Sequence, residues 1–176
     1  MALPRLLGTR YDIGVIINPV PGETTYVKAG PLTFGIEYRY INDKLLDEHF
    51  ADDPEKNAVI VRGFDEEGIA VHVMDSATGT EYLRFDGFTG MPHYHYIYPG
   101  SHHVIVNWDE LANGPFLDWV PVVLAGRLEA MLAEGVGVDE AHRLVTPEVH
   151  GAIEGVVAEI DRLRGRLDAA IAAAAQ

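Results

Sequence analysis

The spacing of apolar residues changes once along this chain, at Asn107, and that change decides the fold class. Up to Asn107, short runs of β-branched and aromatic residues alternate with polar ones. Beyond it, apolar residues recur every three to four positions. Alternation suits a pleated strand, and the longer spacing suits one face of a helix. Strands followed by helices define an α+β chain. The expected architecture is an antiparallel β-meander of about seven to eight strands in residues 1–110, with strong curvature or barrel closure left open. A C-terminal helical pair in residues 111–176 completes one compact domain.

Strands are expected at Asp12–Asn18, Thr25–Ala29, Leu32–Tyr40, Ala58–Arg62, Ile69–Asp75 and Glu81–Asp86, with FDEEG and SATGT as turns between the last three. Asn42–Phe50 reads as a short helix capped by Asn42. On the Leu32–Tyr40 strand, Glu37 and Arg39 share one face and Ile36, Tyr38 and Tyr40 the other, so the charged pair reads as solvated surface. Asp43–Glu67 carries nine acidic and three basic residues, read as a solvated region without the oxygen spacing of an EF-hand. His72 reads either as a core histidine or as part of a histidine face.

The stretch Gly87–Asn107, GFTGMPHYHYIYPGSHHVIVN, holds four of the eight histidines and three of the eight tyrosines. His93–Tyr98 and His102–Val106 suit two strands, and Pro99-Gly100 suits the turn between them. A two-residue turn sets Ile97 opposite His102, His95 opposite Val104 and His93 opposite Val106. Directly opposed residues share a face, so His93, His95 and His102 fall together, and a slip of one residue exchanges His102 for His103. Pairing with Glu81–Asp86 places Asp86 opposite His93 and Arg84 opposite His95. The expected polar face is then Arg84, Asp86, His93, His95 and His102, and the expected core face is Leu83, Phe85, Tyr94, Tyr96 and Ile105.

Neutral imidazoles bind zinc, iron, copper and nickel, and two histidines two residues apart on a strand, with a third on the paired strand, can hold one side of an ion, expected here to be zinc, iron or manganese. His93, His95 and His102 are the expected metal ligands, with Asp86 as a further ligand or as the group that orients one. Arg84 suits a bidentate grip on a carboxylate. Without a metal, a histidine base oriented by Asp86, with Arg84 stabilising negative charge, gives acid–base chemistry on the same face.

GFTGMPHYH resembles the opening of the first cupin motif through Gly87, His93 and His95. GSHHVIVN resembles part of the second through Gly100, His103 and Asn107. The resemblance implies a small antiparallel barrel whose histidines hold a metal. It covers 21 residues, lacks the glutamate that follows the histidine pair, and has no strands between the two motifs, so cupin activities are not carried over. The sequence holds no nucleotide-cofactor fingerprint.

Past Asn113-Gly114-Pro115, the residues Leu117, Val120, Leu124, Leu128 and Met131 mark a helix. Pro121 is expected in its first turn, which puts its start near Asp118 or Trp119, and Gly135 and Gly137 are expected to end it. Thr146 and Pro147 open the last helix. Val149, Ile153, Val156, Ile160, Leu163, Leu167, Ala170 and Ala174 form a heptad seam along it, with Glu159 and Arg164 spaced for an interchain ion pair and Gly151 and Gly155 able to admit a close neighbour. Homo-oligomerisation through Val149–Ala174 is the expected use of this seam, with packing on the chain's own sheet or on the preceding helix as the alternative.

Composition narrows the function classes. Net charge is −14, from 13 basic and 27 acidic residues, which repels nucleic acid and anionic membranes. The chain has no cysteine, so disulfides and cysteine-ligated metals are excluded. It has no signal-peptide core and no bilayer-length apolar run, and cytoplasmic localisation is expected. Two readings follow. One is a small homo-oligomeric, metal-dependent enzyme of hydrolase, lyase or oxygenase type, acting on a small anionic molecule. The other is a non-catalytic accessory subunit that binds a protein partner through its last helix and acidic surface.

Overall fold

The computed structural model describes residues 7–13, 17–59, 62–63 and 65–174. Seven strands form one antiparallel sheet: β1 (Arg10–Ile13), β2 (Thr25–Ala29), β3 (Leu32–Asn42), β4 (Asp65–Asp75), β5 (Glu81–Phe88), β6 (His93–Ile97) and β7 (His103–Asn107). From β2 to β7 every strand pairs with its neighbour in sequence, as a meander does. β1 then joins the far side of β7, which gives the order β1-β7-β6-β5-β4-β3-β2. The sheet is open, with β1 and β2 as its edges, so the barrel closure left open by the sequence does not occur.

Two short helices, α1 (Asp43–His49) and α2 (Pro54–Val59), lie between β3 and β4. Asn42 caps α1 as expected, its side chain accepting from the Leu45 amide at 2.9 Å. The expected strand Ala58–Arg62 is corrected: Ala58 and Val59 close a helix that begins with Pro54 and Glu55, a proline and an acid where a helix start favours them. Residues 60–61 of that stretch lie outside the described residues. The FDEEG turn is corrected too, since Asp65–Gly68 already belong to β4 and pair with Arg39–Asn42. Of the expected strand Asp12–Asn18, only Asp12 and Ile13 are in β1, Ile17 and Asn18 are in no element, and residues 14–16 lie outside the described set.

One face of the sheet is apolar. Leu32, Phe34, Ile36, Ile69, Val71, Val73, Leu83 and Phe85 all point there and are buried. Helices cover it: α4 (Phe116–Gly126) packs over β5, α5 (Leu128–Val136) over β5 and β6, and α7 (Pro147–Ala174) over β2, β3 and β4. α3 (Glu110–Asn113) and α6 (Val138–Leu144) are short connectors. The expected helical pair is therefore five helices. Arg127 leaves helical geometry at φ −137° and ψ 5° and separates α4 from α5, while Leu128, Met131 and Leu132 beyond the break remain buried. α4 also begins earlier than expected. Phe116 packs edge-on to Trp108 at 5.5 Å, and that aromatic contact holds the first turn although Pro121 then falls inside the helix.

The heptad seam faces inward. Val149, Ile153, Val156, Ile160, Leu163 and Leu167 are buried in the core that lines the sheet, which is the intramolecular packing the sequence left open. Glu159 meets Arg162 and Thr25, and Arg164 meets Asp118, so both charges have partners within the chain. Gly151 and Gly155 are exposed, and a Cβ at either would meet nothing within 4 Å. They admit no close neighbour here. Thr146 precedes the helix as expected, but its hydroxyl is buried without a hydrogen-bond partner. No helix among the described residues is long and apolar enough to cross a membrane.

Candidate functional site

The other face of the sheet is polar, and most of it is buried as well. Strand alternation brings Glu37 and Arg39 from β3, His72 from β4, Arg84 and Asp86 from β5, His93 and His95 from β6 and His103 from β7 to this side. A register shift between Val73 and Met74 adds Glu81, which pairs with Met74. The Ile17–Thr24 segment lies over part of the face. Its Ile17 and Asn18 carbonyls accept from Arg39 and Arg84, and its Val20 amide donates to Glu37.

Two of the expected cross-strand pairs hold, Asp86 with His93 and Arg84 with His95. The pairing across the next turn is corrected by one residue. Ile97 faces His103, His95 faces Ile105 and His93 faces Asn107. The cause is the turn. Ser101 N–H donates to the Tyr98 carbonyl, Gly100 takes φ +70°, and Tyr98 N–H donates to the His102 carbonyl, so the turn holds three residues, Pro99 to Ser101, instead of two. His103 therefore shares the face of His93 and His95, and Ile105 leaves the helix-covered face for the polar one. His102 is exposed beside the turn, stacked on Tyr98 with its ring 4.5 Å away and Nε2 3.6 Å from Asp12, apart from His93 and His95.

Asp86, His93 and His95 form one cluster, with a potential ligand atom of each within 4.8 Å of the others. Asp86 Oδ2 lies 3.1 Å from His95 Nε2 and 3.4 Å from His93 Nε2. Asp86 and His95 are buried, and His93 is 15% exposed, which makes it the member through which solvent reaches the group. The Phe88 ring lies 5.8 Å from that of His93.

The protonation of the cluster is constrained. Burial pushes the Asp86 carboxyl up, but hydrogen bonds from His93 and His95 outweigh it and hold the acid well below the usual carboxylate range. Burial pushes the His95 imidazole down to about 4 against the opposing pull of Asp86, so His95 is neutral at pH 7. His93 Nδ1 lies 2.8 Å from the Met91 carbonyl, which can only accept, so Nδ1 is the donor of that bond and Nε2 is the atom turned to Asp86. Asp86 Oδ1 and His95 Nδ1 are both buried without a hydrogen-bond partner. Both atoms are open to a further partner.

Arg84 is 2% exposed and fully engaged. Nε and Nη2 donate to Glu81 at 2.9 and 2.5 Å, and Nη1 donates to the Ile17 carbonyl at 2.8 Å. It meets the cluster as a nearby charge, one of the influences that lower the His95 pKa. The expectation that Glu37 and Arg39 form a solvated pair is corrected. They are ion-paired and buried at 1% and 6% exposure, because the Ile17–Thr24 segment covers them. His72 is fully buried between Glu37 and Glu81, at 3.2 and 2.6 Å. Burial raises both glutamates, but His72 and the arginines overcome it and bring each to about 2. Alternation already placed Glu37 and His72 on definite strand faces. What the sequence did not reveal was the cover over the polar side.

The family model described as a domain of unknown function, DUF7700, matches residues 26–163, well over half of the chain. The chain belongs to the DUF7700 family. The DUF7700 match includes β3–β7 and so every residue of the polar face named above, the metal-type cluster among them. No curated protein and no solved structure matches this DUF7700 chain.

Proposed function

We propose that Asp86, His93 and His95 bind a divalent metal ion and that the protein is a small metal-dependent enzyme acting on a small anionic molecule. The observation that carries this reading is the convergence of Asp86, His93 and His95, with one potential ligand atom of each within 4.8 Å of the others and with Asp86 Oδ1 and His95 Nδ1 buried without a hydrogen-bond partner. Donors around a tetrahedral ion at ~2.0–2.1 Å stand about 3.3 Å apart, and the two measured separations, 3.1 and 3.4 Å, span that value. Two imidazoles and one carboxylate suit zinc, iron or manganese.

A divalent ion held by one carboxylate and two neutral imidazoles keeps one net positive charge. In a buried setting that charge favours an anionic further ligand, which points to a small acid as substrate. The bound ion would supply Lewis acidity for hydrolysis or lyase chemistry, or a site for oxygenation. The protein's own contribution is to fix the ligands. The Met91 carbonyl sets the His93 tautomer, Phe88 shields its ring, and β5–β6 pairing holds Asp86 opposite His93.

Elemental mass spectrometry of untagged protein tests the reading, with His93→Ala and His95→Ala alongside. Near-stoichiometric zinc, iron or manganese in wild type, lost in both variants while circular dichroism shows a retained fold, is expected. No metal after reconstitution with each of the three ions would overturn it and turn attention to an accessory subunit. Self-association through the Val149–Ala174 helix would have to use its outer side, where Ile171 is exposed, because the inner stripe is covered.

A further inference from the structure

The sheet ends at β1 on one side, and the outer edge of β1 is complementary to a copy of itself. β7 sits between β6 and β1. Along an antiparallel strand, residues whose backbone bonds one neighbour alternate with residues whose backbone faces the other. Tyr98 N–H donates to the His102 carbonyl and Trp108 N–H to the Pro92 carbonyl, which assigns the even-numbered residues of β7 to β6. The odd-numbered ones bond on the β1 side. Asn107 N–H donates to the Thr9 carbonyl, and Ile105 and His103 stand opposite Tyr11 and Ile13. The N–H and C=O of Arg10 and Asp12 therefore point away from the sheet. Among the described residues no strand pairs with them.

A row of outward N–H and C=O groups is a template for another strand, and the side chains on this edge select which one. Arg10, Tyr11 and Asp12 are all exposed, so a base and an acid on one face flank an aromatic on the other. Consider an antiparallel pair about a two-fold axis at Tyr11. Arg10 of each copy stands opposite Asp12 of the other, and those residues exchange N–H and C=O across the join. Tyr11 meets its own counterpart at the closer, non-hydrogen-bonded position, where an aromatic pair is favourable. Moving the axis to Arg10 or to Asp12 keeps the bonding alternation but sets like charges opposite one another, which is unfavourable. The other edge has no such complement, since β2, TYVKA, carries Lys28 and no acid. Within the chain Arg10 meets Glu134 and Tyr98, and Asp12 lies 3.6 Å from His102 Nε2. Those contacts are solvent-exposed and weak.

We infer that the β1 edge is a self-association surface whose partner is a second copy of this chain, joined through an antiparallel β1–β1 pair centred on Tyr11. The join makes one continuous sheet from two seven-stranded ones and covers an edge that would otherwise accept strands without selection. A pairing of four residues buries less than the roughly 1,200 Å² of a standard interface, so the dimer is weak and dilute protein unfolds as a monomer. The surface uses none of the metal-type cluster, so the two proposals fail separately.

The test is sedimentation velocity of the full chain from about 5 to 500 µM in ~0.15 M salt, with amide hydrogen exchange measured at both ends of that range. A monomer–dimer equilibrium is expected. The Arg10 and Asp12 amides should be protected only at high concentration, and the Tyr11 and Ile13 amides at both. Asp12→Arg brings the net charge of −14 nearer zero, so relief of general repulsion alone would strengthen association. Opposed arginines should instead weaken it at least about tenfold. Arg10→Asp combined with Asp12→Arg should restore it. That pair is made in a Glu134→Gln background, so that the introduced acid does not meet a second one, and is compared with Glu134→Gln alone. A wild type that stays monomeric throughout, a dimer untouched by Asp12→Arg, or a paired swap that restores nothing would overturn the inference. So would a dimer whose Arg10 and Asp12 amides exchange as fast as in the monomer, which would move the contact to another surface such as the outer side of α7.

Discussion

Lowering the pH should destabilise this protein through Glu37 and Glu81. Each carboxyl lies at about 2 in the fold, from an ordinary value of 4.5. At ~1.36 kcal/mol per pKa unit, one such group contributes roughly 3 kcal/mol. The second contributes less, because protonating either glutamate leaves His72 to serve the other alone. The sign follows from proton affinity. The unfolded chain binds these protons more tightly than the fold does, so the stability is fully present above pH 4.5 and is lost as pH falls toward 2. Titration of surface acids works the other way, since it relieves the self-repulsion of a chain with net charge −14. The comparison that separates the two effects is Glu81→Gln, which changes the buried group alone. Its glutamine cannot neutralise the 2%-exposed Arg84, and at pH 7 the variant should be less stable by ~3–5 kcal/mol. Urea unfolding at several pH values between 7 and 2.5 reads both quantities. Wild type should lose stability below pH 4.5 more steeply than Glu81→Gln does. Equal stability at pH 7, or parallel slopes in the acid range, would refute the reasoning.

Ile160→Ala should cost about 2–5 kcal/mol, because Ile160 is fully buried against the chain's own core; its unfolding midpoint should not depend on protein concentration, which a denaturation series over a hundredfold range would check. Gly155→Ala should add about 0.5–1 kcal/mol, since the site is exposed and open, and thermal melting would show it. Gly68→Ala should destabilise by ~2 kcal/mol or more: a Cβ there runs into the backbone of Gly87 and Phe88, and loss of ordered β4–β5 amide protection in hydrogen exchange would report the strain.

The parts of the fold visible in the sequence were those decided by local geometry. The change of period at Asn107, the Asn42 cap and the facing of Asp86 by His93 all follow from alternation and short connections. The position of His102 did not, because one residue added after the Pro99-Gly100 turn reverses every facing on β7, and both turn forms suit those residues. Glu37 and Arg39 were assigned to the correct face of their strand but to the wrong environment. A strand's sequence reports which residues share a side. It does not report that a segment some twenty residues earlier crosses that side and supplies carbonyls to its arginines. Ala58–Val59 has strand-like composition, yet Pro54 and Glu55 set a helix before it. The breaks among α4, α5 and α6 depend on how a helix face must turn to stay on the sheet, and sequence spacing carries that only weakly.

The strict division of the sheet into a greasy side and a charged side has a consequence for folding fidelity. Any strand among β3–β5 that pairs one residue out of step would drive Glu37, His72, Arg84 or Asp86 into the space beneath the helices and carry Phe34, Val71 or Phe85 out among the ions. Each mispaired sheet leaves at least one charge without its partner in a dry place, which is among the most costly errors a chain can make. The buried ions therefore act as a proofreading device for strand alignment. They penalise the wrong sheets more than they favour the right one, whatever else they bind.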